Sequence, residues 1–130
     1  MFGIKRQLPI RTLVGEGTVI HGELRFVDGL RIDGEVLGDV TAAGGERSVL
    51  VISEKAKVTG KVRAGHVIIN GAVIGPVTSE ELLELQPKAR IEGDVTYVAL
   101  EMHQGATIEG ELHALKTGDS PTLKLASNNS

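Results

Sequence analysis

One five-residue motif, called the glycine word below, recurs through the middle of the chain. It consists of an apolar residue, any residue, glycine, any residue and a second apolar residue. The six copies are centred on Gly22, Gly38, Gly60, Gly75, Gly93 and Gly110. Successive glycines are 16, 22, 15, 18 and 17 residues apart. Self-similarity at this period indicates a repeat architecture, in which each unit packs mainly against the units before and after it.

Longer segments repeat as well. Residues 30–40 match residues 67–77, with apolar aligned to apolar and glycine to glycine. Residues 54–60 match residues 87–93 and 104–110 in the same way. The longest step between glycines contains residues 42–47, which we interpret as a loop that bulges from one unit.

Between the glycines, apolar and polar residues alternate, a pattern that predicts short strands. The alternating pairs are Leu24/Phe26, Leu30/Ile32, Leu50/Ile52, Leu83/Leu85 and Leu100/Met102. Glycine permits a positive φ or a close backbone approach where the chain bends. A unit of about 17 residues with three short strands predicts one turn of a β-solenoid, because parallel pairing stacks each turn ~4.8 Å above the last.

Composition limits the core and the classes of site. The 130 residues include two Phe, one Tyr, no Trp and no Cys. The core must therefore consist of Val, Ile and Leu, and a disulfide scaffold, a thiolate zinc site and a cysteine nucleophile are excluded. Residues 12–115 carry 16 acidic and 9 basic side chains, which argues against nucleic acid as a partner.

We predict an all-β domain over residues 12–115, a parallel β-helix of about six coils and roughly 25–30 Å in length. Residues 1–11 and 116–130 show no repeat and are predicted to be a flexible N-terminal tail and a disordered C-terminal tail. No apolar run approaches the ~20 residues that span a bilayer. We expect a soluble protein in the cytoplasm.

The ends of such a rod carry unpaired backbone N–H and C=O groups. Soluble solenoids cover their ends with a helix or a polar repeat, and the sequence shows neither. Both ends are therefore predicted to add strands from another copy, giving a homopolymer joined end to end. The predicted polymerisation interface is Val14, Ile20 and Leu24 at one end and Leu100, Met102, Ile108 and Leu112 at the other.

Residues 12–18 (TLVGEGT), which open the rod, and residues 93–102 (GDVTYVALEM), near its end, resemble the bactofilins. These are bacterial polymer-forming cytoskeletal proteins, and the resemblance covers about residues 12–112. It implies a right-handed parallel β-helix that forms filaments without nucleotide or another cofactor. It also implies a scaffold on the cytoplasmic face of the inner membrane that positions proteins of cell-wall synthesis or hydrolysis, or other morphogenetic proteins.

The N-terminal tip combines apolar and basic residues. We predict that it binds an anionic membrane surface, with apolar side chains at the headgroup boundary and basic side chains on anionic lipid. A filament that displays many copies would bind by avidity. The predicted membrane-binding residues are Met1, Phe2, Ile4, Lys5, Arg6 and Leu8.

The sequence matches no nucleotide-binding motif. The pair Gly60-Lys61 is followed by Val62 and lacks the upstream glycine of a P-loop. Asp28, Asp33 and Asp39 lie close to glycines, but the word typical of calcium-binding repeats is missing. We interpret these acids as a solvated face, and we predict no catalytic, cofactor or metal site.

Two other classes stay open. One is a β-solenoid binding module that does not polymerise. The other is a hexapeptide-repeat acyltransferase with a catalytic histidine, since Val14, Ile20, Phe26 and Ile32 are spaced six apart before Gly38 breaks the pattern. The four histidines, His21, His66, His103 and His113, are interpreted as surface residues without Asp or Glu at a fixed spacing, and the protein is predicted not to be an enzyme.

Overall fold

The computed structural model describes residues 9–43 and 47–115, together with the backbone of residues 122–125. Every regular element in these residues is a β-strand. They are β1 (Thr12–Val14), β2 (Val19–His21), β3 (Leu24–Phe26), β4 (Asp28–Ile32), β5 (Glu35–Leu37), β6 (Val40–Ala42), β7 (Ser48–Ile52), β8 (Lys57–Thr59), β9 (Val62–Ile69), β10 (Ala72–Ile74), β11 (Val77–Leu85), β12 (Arg90–Glu92), β13 (Val95–Tyr97), β14 (Ala99–Met102), β15 (Thr107–Glu109), β16 (Leu112–Ala114) and β17 (Thr122–Leu125). Within these ranges, no helix is long and apolar enough to cross a membrane.

The strands stack in three columns, so the chain winds as a three-sided solenoid. The first face is β1, β4, β7, the end of β9, the end of β11, β14 and β17. The second is β2, β5, β8, β10, β12 and β15, and the third is β3, β6, the start of β9, the start of β11, β13 and β16. All of these pairs are parallel, which confirms the all-β, parallel β-helix predicted from the sequence.

We number the coils 1 to 6 as residues 12–26, 28–42, 48–64, 66–79, 82–97 and 99–114. Each coil contributes one strand, or one part of a long strand, to each face. The second face has six strands, which agrees with the six glycine words.

Inward side chains form columns in which similar residues stack on one another. On the second face the column is Ile20, Val36, Val58, Val73, Ile91 and Ile108. Its four middle members are buried, whereas the first and last are only half-buried. The core is therefore a stack of aliphatic layers, and burial is lost only where the stack ends.

The repeated glycines stack on one another at the corner between the second and third faces. A Cβ on Gly75 would collide with the backbone carbonyl of Gly60 on the coil before it, and Gly75 also has a φ of 147°. Glycines 38, 60, 93 and 110 meet the preceding coil in the same way. The glycine word thus exists because the backbones of successive coils approach too closely for a side chain.

Aspartates next to the glycines bond to the following coil. The Asp39 carboxylate accepts the backbone N–H of Lys61 at 2.9 Å. The Asp94 carboxylate accepts the N–H of Glu111 at the same distance. These bonds satisfy backbone donors where the chain turns between strands.

The C-terminal tail differs from its prediction at one point. We expected residues 116–130 to lack structure, but β17 pairs in parallel with β14, from Ala99↔Thr122 to Met102↔Leu125. The physical reason is the open edge of β14, whose unpaired backbone groups attract any nearby extended segment. Residues 122–125 also alternate polar and apolar, as every preceding strand of this face does.

Candidate functional site: the two ends of the rod

Coil 1 forms one end of the rod and presents three open strand edges. Within the described residues, β1, β2 and β3 each pair on one side only, with coil 2. Such edges carry backbone N–H and C=O groups in the geometry that accepts another strand.

Coil 6 forms the other end and is partly covered. The strands β15 and β16 pair only with coil 5 in the described part of the chain, but β14 also pairs with β17. The sequence predicted two fully open ends, and on the first face of coil 6 that prediction was wrong, because the chain itself returns to this edge.

Exposed large apolar side chains concentrate at the ends. In or beside coil 1 they are Ile10, Leu13, Val19 and Val27, and in coil 6 the example is Leu112. Leu13 is 60% exposed, whereas outward aliphatic residues of the middle coils, such as Leu37 and Ile68, are half-buried. An exposed apolar surface at a strand edge is typical of an interface with another protein.

The predicted interface residues all lie in these terminal coils. Val14 and Leu100 are buried in the core, Ile20, Leu24, Met102 and Ile108 are half-buried, and Leu112 is about half exposed. Val14, Ile20 and Leu24 come together in the inward layer of coil 1, as do Ile108 and Leu112 in coil 6. Their role in an interface stays a prediction.

The glycine stack ends in open space at coil 1. A Cβ on Gly22 would meet nothing within 4 Å, whereas one on Gly38 would collide with the Gly22 carbonyl. Each glycine in the stack faces the coil before it, so Gly22 faces the position that another coil would occupy. This signal was present in the sequence as the first copy of the word, but the open space beside it required coordinates.

The predicted membrane-binding residues 1, 2, 4, 5, 6 and 8 lie outside the described residues. Their role stays a prediction.

A groove of about 420 Å³ follows the corner between the first and second faces. The hydroxyl of Ser53 donates to Asp33 and lowers the pKa of that carboxyl, with the Arg31 guanidinium acting in the same direction and burial opposing both. Lys55 lies 3.5 Å from Glu16 across the same corner. These charges stabilise the stacking of coils 1 to 3, which accounts for them without a ligand.

The other acids near glycines also have partners. Asp28 accepts a bond of 2.9 Å from Arg11, and Asp39 bonds to the backbone as described above. Elsewhere Lys88 lies 2.8 Å from Glu54, a contact that lowers the pKa of Glu54 and raises that of Lys88. The three aspartates are therefore bonded to neighbouring coils or strands rather than merely solvated.

The interpretation of the histidines needs a correction. His103 lies two residues after Glu101, and His113 lies two residues after Glu111, so two of the four do have a glutamate at a fixed spacing. Alternation on a strand puts each pair on one face, with side chains 3.5 Å and 3.2 Å apart. His66 lies 3.8 Å from Glu84 of the next coil, a proximity that only the register between coils reveals.

The uneven coil lengths disfavour the hexapeptide alternative. Along the first face, the register partners in successive coils are Thr12, Leu30, Leu50, Val67, Leu83 and Leu100. The separation along the chain changes from step to step and is largest between Leu30 and Leu50. A hexapeptide-repeat helix is built of whole hexads, so its coils would keep one constant length.

Comparison with known proteins agrees with this geometry. A family model described as "Bactofilin: Polymer-forming cytoskeletal" matches residues 12–113. The chain belongs to the bactofilin family. It is also 25% identical over 111 residues to Bactofilin BacO of Myxococcus xanthus (strain DK1622), a match that covers 85% of each chain. No solved structure matches the chain significantly.

Membership confirms the resemblance noted in the sequence. It makes this chain a polymer-forming cytoskeletal protein that associates with itself. The family match ends at residue 113 and thus coincides with the six coils, excluding β17.

Proposed function

We propose that this bactofilin is a bacterial scaffold rather than an enzyme, and that its rods join end to end into filaments without nucleotide. The observation that carries the proposal is the pair of terminal coils, which combine open strand edges with half-buried aliphatic layers. A further coil would pair the edges of β1, β2 and β3 at one end, or those of β15 and β16 at the other, and would bury that layer. Burial of apolar surface would then drive assembly, at about 25 cal/mol per Å².

The terminal layer can be tested with one substitution. Ile108→Arg places a charge in the inward column of coil 6, where a following coil would otherwise pack. The matched control is Thr107→Arg, because Thr107 is exposed on the same strand, β15, and the charge change is the same. We expect Ile108→Arg to give short folded species by size-exclusion chromatography and analytical ultracentrifugation, and Thr107→Arg to form filaments.

Filaments of normal length from Ile108→Arg would contradict the assignment of this end. Circular dichroism of both variants distinguishes lost assembly from lost folding, since a folded β-helix keeps its strand signal. A wild type that stays monomeric at high concentration would instead favour the binding module, which docks a partner's strand on the open edge without polymerising.

We further propose that the filaments lie on the cytoplasmic face of the inner membrane. The support is the sequence of the tip, in which Phe2 and Ile4 precede the basic residues Lys5 and Arg6. Each basic residue near an anionic surface contributes about 1 kcal/mol, so one copy binds weakly and a filament binds by avidity.

Flotation with vesicles that contain phosphatidylglycerol tests this step. Deletion of residues 2–8 should abolish flotation while filaments persist, and deletion of residues 126–130 is the control at the other terminus. Equal flotation of the two truncated forms would overturn the membrane proposal without affecting filament assembly.

The role of such a filament is to position other proteins. By resemblance to its family, we propose that the recruited proteins act in cell-wall synthesis or hydrolysis, or in another morphogenetic process. Crosslinking in cells to the native filament tests this role, and a set of captured proteins without any that act at the cell envelope would contradict it.

A further inference from the structure

Three potential metal ligands converge on the outer surface of the first face. Glu101 and His103 lie two residues apart on or just after β14, so both point outward. Glu84 on β11 is the register partner of Glu101. The carboxylate oxygens of the two glutamates and a ring nitrogen of His103 all lie within 4.8 Å of one another.

The electrostatics of this cluster are unusual for the molecule. Two carboxylates on adjacent coils face each other, which is unfavourable unless a cation lies between them. Among the described side chains, the only ion-pair partners of these carboxylates are histidines: Nε2 of His103 is 3.5 Å from Glu101, and Nε2 of His66 is 3.8 Å from Glu84. Elsewhere Glu54 forms an ion pair with Lys88, and Glu80 forms one with Arg63.

Both histidine nitrogens are also enclosed without a hydrogen bond. The Nε2 atoms of His66 and His103 are buried from solvent and have no hydrogen-bond partner in the structure. The two imidazoles are 23% and 34% exposed as a whole, so only these nitrogen atoms are shielded. An ion bound between His103 and the two carboxylates would satisfy the second of these nitrogens and remove the repulsion at the same time.

We propose that Glu84, Glu101 and His103 bind a divalent transition-metal ion, with Zn²⁺ as the representative. One imidazole and two carboxylates suit Zn²⁺ or Mn²⁺ better than Ca²⁺ or Mg²⁺, which prefer oxygen alone. Zinc ligands lie about 2.0–2.2 Å from the ion, so small rotations of three partly exposed side chains close the site. Water would fill the fourth position.

Neighbouring side chains support the ligands. The amide of Gln86 donates to Glu84 at 3.3 Å, and His66 approaches the same carboxylate from coil 4. Such outer contacts orient metal ligands. The backbone of Lys124 in β17 is in register with Glu101.

A second cluster on the third face provides an internal comparison. Asp94, Glu111 and His113 also lie within 4.8 Å of one another, but all three are exposed. Asp94 already accepts the N–H of Glu111. Water screens this group more strongly and one of its ligands is partly used, so we expect it to bind the ion more weakly than the half-buried site.

The proposed ion would join coil 5 to coil 6 across β11 and β14. Metal binding would then stabilise the last coil, because an ion that binds only the folded site shifts the folding equilibrium. None of this depends on filament assembly, so the two proposals can fail separately.

Equilibrium dialysis of the full chain against ZnCl₂ tests the site, since it works for filaments and single rods alike. The variants are Glu84→Gln and His103→Ala, each at the surface and each checked for folding by circular dichroism. The controls are His113→Ala, from the exposed cluster, and His21→Ala, an exposed histidine of coil 1. Co²⁺ absorption provides a spectroscopic measurement of the coordinating ligands.

We expect Glu84→Gln and His103→Ala to weaken the tightest Zn²⁺ site by about tenfold or more, and both controls to leave it unchanged. Zn²⁺ binding that is absent from the wild type, or that His103→Ala does not weaken, would overturn the proposal. A loss confined to His113→Ala would place the site in the other cluster and overturn it as well.

Discussion

The middle coils and the terminal coils share one repeat but differ in what lies above and below them. Ile91 in coil 5 is 1% exposed, whereas Ile108, its register partner in coil 6, is half-buried. Gly75 lies against Gly60 with no space for a side chain, whereas Gly22 of coil 1 faces open space. The terminal coils therefore carry core residues that lack a neighbouring coil on one side, and the end-to-end association that we propose would supply that neighbour.

Charge shows the same contrast. Between the ends, Glu54 pairs with Lys88 and Glu80 with Arg63, although Glu84 of coil 5 lies near His66. In coil 6, Glu101 and Glu111 pair with histidines among the described residues. Coil 6 thus presents carboxylate–histidine pairs, where Glu54 and Glu80 pair with a lysine and an arginine.

The largest effect should come from the glycine stack. Gly75→Ala should destabilise the fold by about 4 kcal/mol or more, because the methyl group collides with backbone and cannot move away. Gly22→Ala should cost about 1–2 kcal/mol, from its positive φ alone. Chemical denaturation followed by circular dichroism measures both.

The same pair sharpens the comparison between folding and assembly. Gly22→Ala should fold yet form shorter filaments, since its methyl group occupies the surface where another coil would pack. Equal losses of stability in the two variants would show that coil 1 is already covered in the single chain and would contradict the open end.

A smaller effect is expected from the aliphatic column. Ile91→Ala should destabilise the rod by about 2–5 kcal/mol through lost burial and a cavity. Ile108→Ala should cost less than about 2 kcal/mol, because the side chain is already partly exposed. For assembly we expect the opposite order. Ile108→Ala should raise the critical concentration for filament formation more than Ile91→Ala does, and sedimentation measures this concentration. The same order in both measurements would exclude Ile108 from the interface.

The smallest effect concerns the corner of the middle coils. The hydroxyl of Ser53 lowers the pKa of Asp33, so this bond stabilises the fold above the ordinary carboxyl pKa of about 4 and is lost as the pH falls through the lower value of the folded state. Ser53→Ala should cost about 1 kcal/mol at pH 7. Thermal unfolding against pH should show the difference from wild type shrinking in acid, while Thr107→Ala changes little. A constant difference would mean that Ser53 acts by packing.

Much of the fold could be predicted from the sequence because the repeat is local. The alternation around Leu30 and Leu50 indicates the strands, and the glycine words indicate the corners and the number of coils. These features need no knowledge of long-range contacts, since each coil packs against a copy of the same pattern.

The candidate sites were harder to predict because they depend on register between coils. Glu84 pairs with Glu101, and Leu30 pairs with Leu50 in an equivalent relation, yet the two pairs differ in their separation along the chain. Corner lengths set this separation, and they vary from coil to coil. Strand β17 was missed for a related reason: its four residues follow a segment without any repeat, so only the pairing with β14 identifies it as part of the rod.

Diffraction from aligned filaments, prepared without nucleotide or metal, tests the central claim most directly. If rods join end to end along their own axis, their strands lie across the filament and the strand spacing of about 4.8 Å falls on the meridian. Cryo-electron microscopy of single filaments gives the same spacing in the power spectrum. Compact particles, or filaments with this spacing away from the meridian, would contradict end-to-end assembly.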